Sequence, residues 1–272
     1  MRAETTNGEP AVEETTIAGF PALVARPHHP KAGAPPIVYA HGAFADHACF
    51  RAWVERSAGA GNHAVAASRR GRLGTGPERA SGLRFDDYVR DTLAVIDELG
   101  EAPVIVGHSL GGLVAQRVAE LGRARAIVLL ASAPPAMLTA QASALRYFAP
   151  KLPSIMRGRP FVVSDAACSA LALNRLPVEE RPAVHAHLTQ ESGRVYRAAM
   201  FGTIRVDAAK VTVPVYVAGG TDDRIISTRL LRKTARHYDV APHPLAGRGH
   251  WLIAEPGWQE LQDDVHAFLD AV

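Results

Sequence analysis

The sequence predicts an α/β domain built on a mostly parallel sheet with helices on both faces. Three observations predict it. Short apolar runs alternate with stretches of helical period through the first half of the chain. Several of those runs are apolar at almost every position, which suits strands covered on both sides rather than half-exposed edges. The strand–helix rhythm returns near the C-terminus after a long interruption.

Taken in order, the first dozen residues read as a loose polar tail. Residues 15–20 and 21–27 read as two strands joined near Ala18-Gly19, an opening hairpin. A Pro-rich loop leads to the apolar run 36–40, a buried parallel strand. Residues 47–59 have helical period, with Phe50, Trp53 and Val54 on one face, and 63–68 read as a strand. Phe85, Tyr88, Val89, Leu93, Ile96 and Leu99 fall at helical spacing, with Gly100 as the natural C-cap. Residues 102–107 are a strand. Leu110, Leu113, Val114, Val118 and Leu121 form the next helical stripe, closed by Gly122, and 126–132 are another strand. From 133 to 209 the alternation stops, and short helical patterns are separated by Pro150, Pro153, Pro160, Pro177 and Pro182. This stretch is expected to be a helical cap inserted into a core formed by 1–132 and 210–272. Strand 213–220, helix 227–238, strand 239–245 and a closing helix from Trp258 complete the core, with Trp258, Leu261, Val265, Phe268 and Leu269 on the buried side of that helix.

Composition narrows the function. The chain has 272 residues, 47% hydrophobic and 21% charged, which describes a globular chain rather than a disordered one. The net charge of +3 is too small and too spread for a nucleic-acid-binding face. No apolar run is long enough to span a membrane, and the polar N-terminus lacks the apolar core of a secretory signal. Cys49 and Cys168 are far apart, without a CxxC pair, so neither a disulfide scaffold nor a thiolate metal site is expected. His185 and His187, two apart on a helix, do not share a face and do not make a metal pair. The expectation is a reduced, cytoplasmic enzyme without cofactor or metal, acting on a small molecule, with a homodimer left open.

The chemistry concentrates at Gly107-His108-Ser109-Leu110-Gly111, a G-x-S-x-G pattern lying between a strand and a helix. A sharp strand-to-helix turn lifts the Ser oxygen above the sheet, and small neighbours leave room for the turn. Serine needs a base, and the base needs an orienting carboxylate. The order Ser, acid, His is available. Asp223 follows the strand 213–220 and is preferred over its neighbour Asp222, which reads as a helix-capping residue. His250 follows the last strand beside Gly249. The oxyanion donors are expected to be the backbone N–H groups of Leu110 and of Ala43, in the loop starting at His41-Gly42, with His41 bracing that loop.

These features make the chain resemble the α/β-hydrolase superfamily, from about Glu13 to Val272 apart from the insertion, which varies widely in the family. The loop after His41 and the GHSLGG turn look like the plant-type methylesterase and hydroxynitrile lyase branch, and are also similar to bacterial carboxylesterases and lysophospholipase-like hydrolases. The resemblance implies an α/β-hydrolase fold of about eight strands with a cap after strand 6. It makes Ser109, Asp223 and His250 the triad, Ala43 and Leu110 the oxyanion hole, and the reaction cleavage of a carboxylic ester. Phe44 and Trp251, with Tyr147 and Phe148 of the cap, are candidate pocket residues. Some features depart from the relatives. Hydroxynitrile lyases of this fold carry Thr and Lys where this chain has Gly42 and Trp251. Dehalogenases and epoxide hydrolases carry Asp in place of Ser109, and carbon–carbon hydrolases often read GNSMGG. The usual R-G-x-G turn is lengthened to Arg70-Gly71-Arg72-Leu73-Gly74. Acyl transfer, lactone opening and carbon–carbon hydrolysis are alternative reactions on the same residues, and a non-catalytic ligand-binding role is another. The cluster Arg69, Arg70, Arg72 is expected to be a solvated loop with one Arg braced under the sheet rim, and Glu191-Ser192 to be exposed cap surface.

Overall fold

The computed structural model describes residues 11–72, 80–137 and 146–272 of the chain. The polar tail lies outside them up to residue 10, as do Leu73 and Gly74 of the lengthened turn. Eight strands form one sheet: β1 (Val12–Ile17), β2 (Phe20–Ala25), β3 (Ile37–Ala40), β4 (Ala64–Ala67), β5 (Val104–His108), β6 (Ala126–Leu130), β7 (Val215–Gly220) and β8 (Pro242–Leu245). Their spatial order is β1-β2-β4-β3-β5-β6-β7-β8. Only β2 runs against its neighbours, pairing antiparallel with both β1 and β4. The remaining pairings are parallel. This is the α/β-hydrolase fold.

The central strands read as continuous apolar runs because both faces are covered. Along β5, Val104 and Val106 pack into one core while Ile105 packs into the other. In β6, Ala126, Val128 and Leu130 share the first core, and Ile127 and Leu129 the second. The first face is covered by α1 (Arg51–Gly59) and a C-terminal helix, and the second by α2 (Phe85–Leu99), α3 (Leu110–Glu120) and a helix that follows β7. Phe50, Trp53 and Val54 are fully buried as their spacing predicts. The stretch predicted as one helix is split, with a 3₁₀ turn over His47–Phe50 ahead of α1, because Asp46 caps it by accepting from the N–H of Ala48 at 2.9 Å. Leu121 departs from its predicted buried stripe. α3 ends at Glu120, so Leu121 swings off the packed face and is half exposed.

Among the described residues between β6 and β7 lie the short helices α4 (Leu152–Met156), α5 (Asp165–Leu171), α6 (Arg181–Ala186) and α7 (Gly193–Met200). Pro153 and Pro182 do not separate these helices. They sit in the first turns of α4 and α6, where a missing N–H costs nothing. This insert is tied to the core by buried side chains: Ile155, Leu173 and Leu176 join the first face, and Val195 the second. After it come α8 (Thr228–His237) and the closing helix α9 (Trp258–Asp270). In α9, Leu261 and Val265 are buried, and Trp258, Phe268 and Leu269 partly so. Among the described residues, no helix is long and apolar enough to cross a membrane.

Candidate active site

The C-terminal ends of β5, β7 and β8 open onto one rim of the sheet, and each delivers one side chain. Ser109 follows β5 with φ 52° and ψ −117°, a backbone conformation an L-residue adopts only when its surroundings force it. Here the forcing is steric. A Cβ on Gly107 would come within 2.5 Å of the Gly111 carbonyl and of Gly112 Cα, and one on Gly111 would overlap the Ala40 carbonyl. The turn is further held by Ser109 N–H donating to Leu130 O at 3.0 Å and Ala133 N–H donating to Ser109 O at 3.0 Å.

His250 Nε2 lies 3.0 Å from Ser109 Oγ, and His250 Nδ1 lies 2.8 Å from Asp223 Oδ2. A carboxylate only accepts, so Nδ1 carries the proton and Nε2 is free to accept from the serine. The other Asp223 oxygen accepts from the N–H groups of Ile225 and Ile226 at 2.7 and 2.8 Å, which fixes the carboxylate and leaves it buried. Geometry separates the two adjacent aspartates. Asp222 turns outward and pairs with Arg175 of the insert. Ala43 lies in the loop after β3, and Leu110 is the first residue of α3. Among the described residues, neither N–H finds an acceptor within the protein. A cavity of about 70 Å³ sits above Ser109, walled by Phe44, Phe148, Leu171, Tyr196, Ile225 and Trp251 among others. Three of the four aromatic candidates therefore reach it. Tyr147 is not on the wall and accepts from Arg146.

Residues not singled out in the sequence hold this arrangement. Glu255, fully buried, accepts from the N–H groups on both sides of His250: Gly249 at 2.6 Å and Trp251 at 3.1 Å. Burial raises its pKa. His108 donates from Nε2 to the His250 carbonyl at 2.8 Å, and its ring packs 5.0 Å from that of His250. Burial, then the neighbouring His250, pull the His108 pKa down to about 3, so the ring is neutral. The sign follows. Below about pH 6.5 the unfolded chain protonates this imidazole and the folded chain does not, so stability falls as pH drops from 6.5 toward 3. In urea unfolding at pH 7 and pH 5, His108→Gln is expected to show a shallower pH slope than wild type, by up to about 1.4 kcal/mol per pH unit. An unchanged slope would contradict this.

The arginine cluster is not a solvated loop. Arg69 and Arg72 are buried and stack over the Tyr88 ring, and Arg70 pairs with the buried Asp91. Arg72 pairs with Glu191 at 2.5 Å, with both side chains fully shielded, and Tyr88 donates to Glu191 at 2.6 Å. Glu191 and Ser192 are thus not exposed cap surface: Glu191 is the point where the insert plugs into the core. The neighbouring Thr189 N–H donates to the Phe44 carbonyl at 2.7 Å. Arg69 reaches the loop after β3, donating to His41 O at 2.7 Å and Gly42 O at 3.4 Å. Burial and the adjacent Arg72 lower its pKa to about 10, so it remains a cation at neutral pH. His41 is fully buried and touches Gly42 O from Nδ1 at 2.9 Å, bracing the loop.

This fold and the Ser–His–Asp line at its rim are those of a hydrolase-type α/β protein. A sequence model described as the alpha/beta hydrolase family matches residues 37–260, and the chain belongs to that family. The non-heme chloroperoxidase of Streptomyces lividans is 28% identical over 247 aligned residues, covering 77% of this chain and 82% of the relative. Among solved structures, the monoacylglycerol lipase of Paleococcus ferrophilus superposes with TM-score 0.70 at 22% identity, covering 91% of this chain and 98% of that one. The bromoperoxidase of Bacillus anthracis gives TM-score 0.69 at 17% identity, covering 96% and 100%.

Proposed function

We propose that the protein is a serine hydrolase cleaving a carboxylic ester through an acyl-enzyme on Ser109. The observation that carries this reading is the unbroken line from Ser109 Oγ through His250 to a buried, fully engaged Asp223, at the mouth of an apolar cavity. His250 takes the Ser109 proton as Oγ attacks the ester carbonyl, and the oxyanion is held by the N–H groups of Ala43 and Leu110. His250 then protonates the leaving alcohol. Water repeats the sequence on the acyl-enzyme and releases the acid. Asp223 holds the imidazole tautomer and offsets its charge in both steps. Residues 133–209 act as the cap, and its cavity of about 70 Å³ favours short apolar acyl groups. The test is labelling of Ser109 by a fluorophosphonate, followed by a chain-length series of p-nitrophenyl esters. Absence of labelling at Ser109 would overturn the reading.

The chloroperoxidase relative favours a second reading of the same residues. Hydrogen peroxide in place of water at the second step would open the acyl-enzyme to a peracid. Product analysis with and without peroxide separates the two.

The loop contacts give a further expectation. Gly42 O and Ala43 N–H belong to one peptide group, so a guanidinium on the carbonyl orients and polarises the donor on its other side. Arg69→Met is expected to lower kcat by about 10- to 100-fold, less than outright loss of an oxyanion donor, with KM changed by less than about threefold. Arg69→Lys is expected to recover part of kcat. An equal rise in KM, or unchanged kcat, would count against this role.

A further inference from the structure

The structure holds a second cavity, of about 730 Å³, at the seam between the insert and the core. Its wall carries six arginines, Arg84, Arg117, Arg157, Arg194, Arg197 and Arg205. Asp86 is the only carboxylate among the described residues that line it. Among the described lining residues six guanidiniums stand against one carboxylate, a local positive excess in a chain whose net charge is only +3. Arg117 is partly satisfied by Glu120 at 2.6 Å. Among the described residues, no carboxylate forms an ion pair with Arg84, Arg157, Arg194, Arg197 or Arg205. Elsewhere in the molecule arginines find partners: Arg51, Arg56, Arg70, Arg72, Arg90, Arg123 and Arg175 all pair with carboxylates.

We propose that this groove binds a small molecule carrying several phosphate groups. Like charges around a concave wall focus a positive potential and repel one another until an anion fills the space. Guanidinium forks match phosphate oxygens in pairs, and a volume of this size is that of a small-ligand site. Phe85 and Ile204 also line the groove, each almost wholly shielded from solvent, so the wall a ligand meets is mainly the arginines. The groove is open to solvent and lined by five stretches of chain, the start of α2, α3, the end of α4, α7 and residues 203–205, so its arginines converge from several directions on one concave spot rather than running along one face.

The location gives binding a consequence. Arg84 caps the start of α2 and Arg117 lies on α3, both in the core, whereas Arg157, Arg194 and Arg197 belong to the insert. An anion shared between them ties the insert to the core. α7 carries Arg194 and Arg197 to this groove and Tyr196 to the wall of the Ser109 cavity. A ligand that fixes α7 therefore fixes one wall of the reactive pocket.

The test is isothermal titration of the whole protein with inorganic tripolyphosphate, at low and at raised ionic strength. The comparison is R157S/R205S, whose two side chains are exposed, have no ion-pair partner among the described residues and lie outside the Ser109 site. Wild type is expected to bind one tripolyphosphate per chain, more weakly at raised salt. The double variant, with an unchanged circular-dichroism melt, is expected to lose about tenfold or more in affinity. Absence of saturable binding by wild type, or equal affinity in the double variant, would overturn the proposal. So would citrate binding as tightly as tripolyphosphate, or a single-stranded oligonucleotide binding more tightly. None of these readouts depends on whether the protein cleaves esters.

Discussion

Ser109→Ala is expected to lower kcat for a short-chain p-nitrophenyl ester on the order of 10³-fold or more, with KM little changed. On the proposed mechanism the loss falls on kcat, because Oγ would supply the bond that forms in the transition state while the cavity walls stay untouched. What would remain on that mechanism is the catalysis that the proposed donors, the Ala43 and Leu110 N–H groups, give to attack by water. The variant is also expected to melt at or near the wild-type temperature. The strain at φ 52° is imposed by the packing of Gly107 and Gly111 and persists in alanine. His250→Ala is expected to cost a similar factor, and the Ser109→Ala/His250→Ala pair little more than either alone, because the two side chains act as one unit. Asp223→Asn is expected to cost on the order of 10²-fold or more by favouring the wrong imidazole tautomer. Asp222→Asn, which removes only a partner of Arg175 at the surface, is expected to change kcat by less than about threefold. If Ser109→Ala retained kcat within tenfold of wild type, the acyl-enzyme scheme would be wrong.

The largest stability effect is expected at Glu191. Removing its carboxylate by Glu191→Ala strands the Arg72 guanidinium in a site where its side chain has no exposure, and leaves the Tyr88 hydroxyl and the Ser192 N–H without their acceptor. Breaking a buried pair from one side costs about 3–5 kcal/mol. Urea unfolding measures this, and limited proteolysis reports whether the loss is confined to the insert. The apolar replacement Arg72→Met/Glu191→Met is expected to recover much of the stability, because it removes both desolvation costs at once. A Glu191→Ala loss below about 1 kcal/mol would show that solvent reaches the pair.

The order and type of the core elements were legible because each is reported by a local regularity. The fully apolar runs of β3, β5 and β6 and the 3.6-residue stripes of α1 and α2 exist only if both faces of the sheet are covered. Ser109 and His250 were legible for a similar reason, since backbone geometry at a strand end demands small neighbours and leaves a written trace. Asp223 was legible only to within its neighbour, because two adjacent carboxylates differ in direction, not in pattern. Glu255 left no trace, Glu191 reads as exposed cap surface, and of Arg69 only the bracing of one unspecified arginine of its cluster was legible. Each acts across a separation in sequence or through backbone groups, and a charged residue that will be buried looks the same in sequence as one that will not. The arginine run at 69–72, apart from its one braced member, reads as solvated on that account: its partners, Asp91 and Glu191, lie 21 and 119 residues away.

The insert enters after β6 and leaves before β7, whereas Ser109, Asp223 and His250 are carried by the ends of β5, β7 and β8. Selection for a new substrate can therefore rework the roof of the pocket while the reactive group beneath it is inherited intact. One joint escapes that freedom. Any replacement roof must still present an acidic plug at the position of Glu191, because the socket of Arg72 and Tyr88 is built into the foundation. A chimaera that grafts a foreign insert onto this sheet and omits that plug would inherit the chemistry and lose the building.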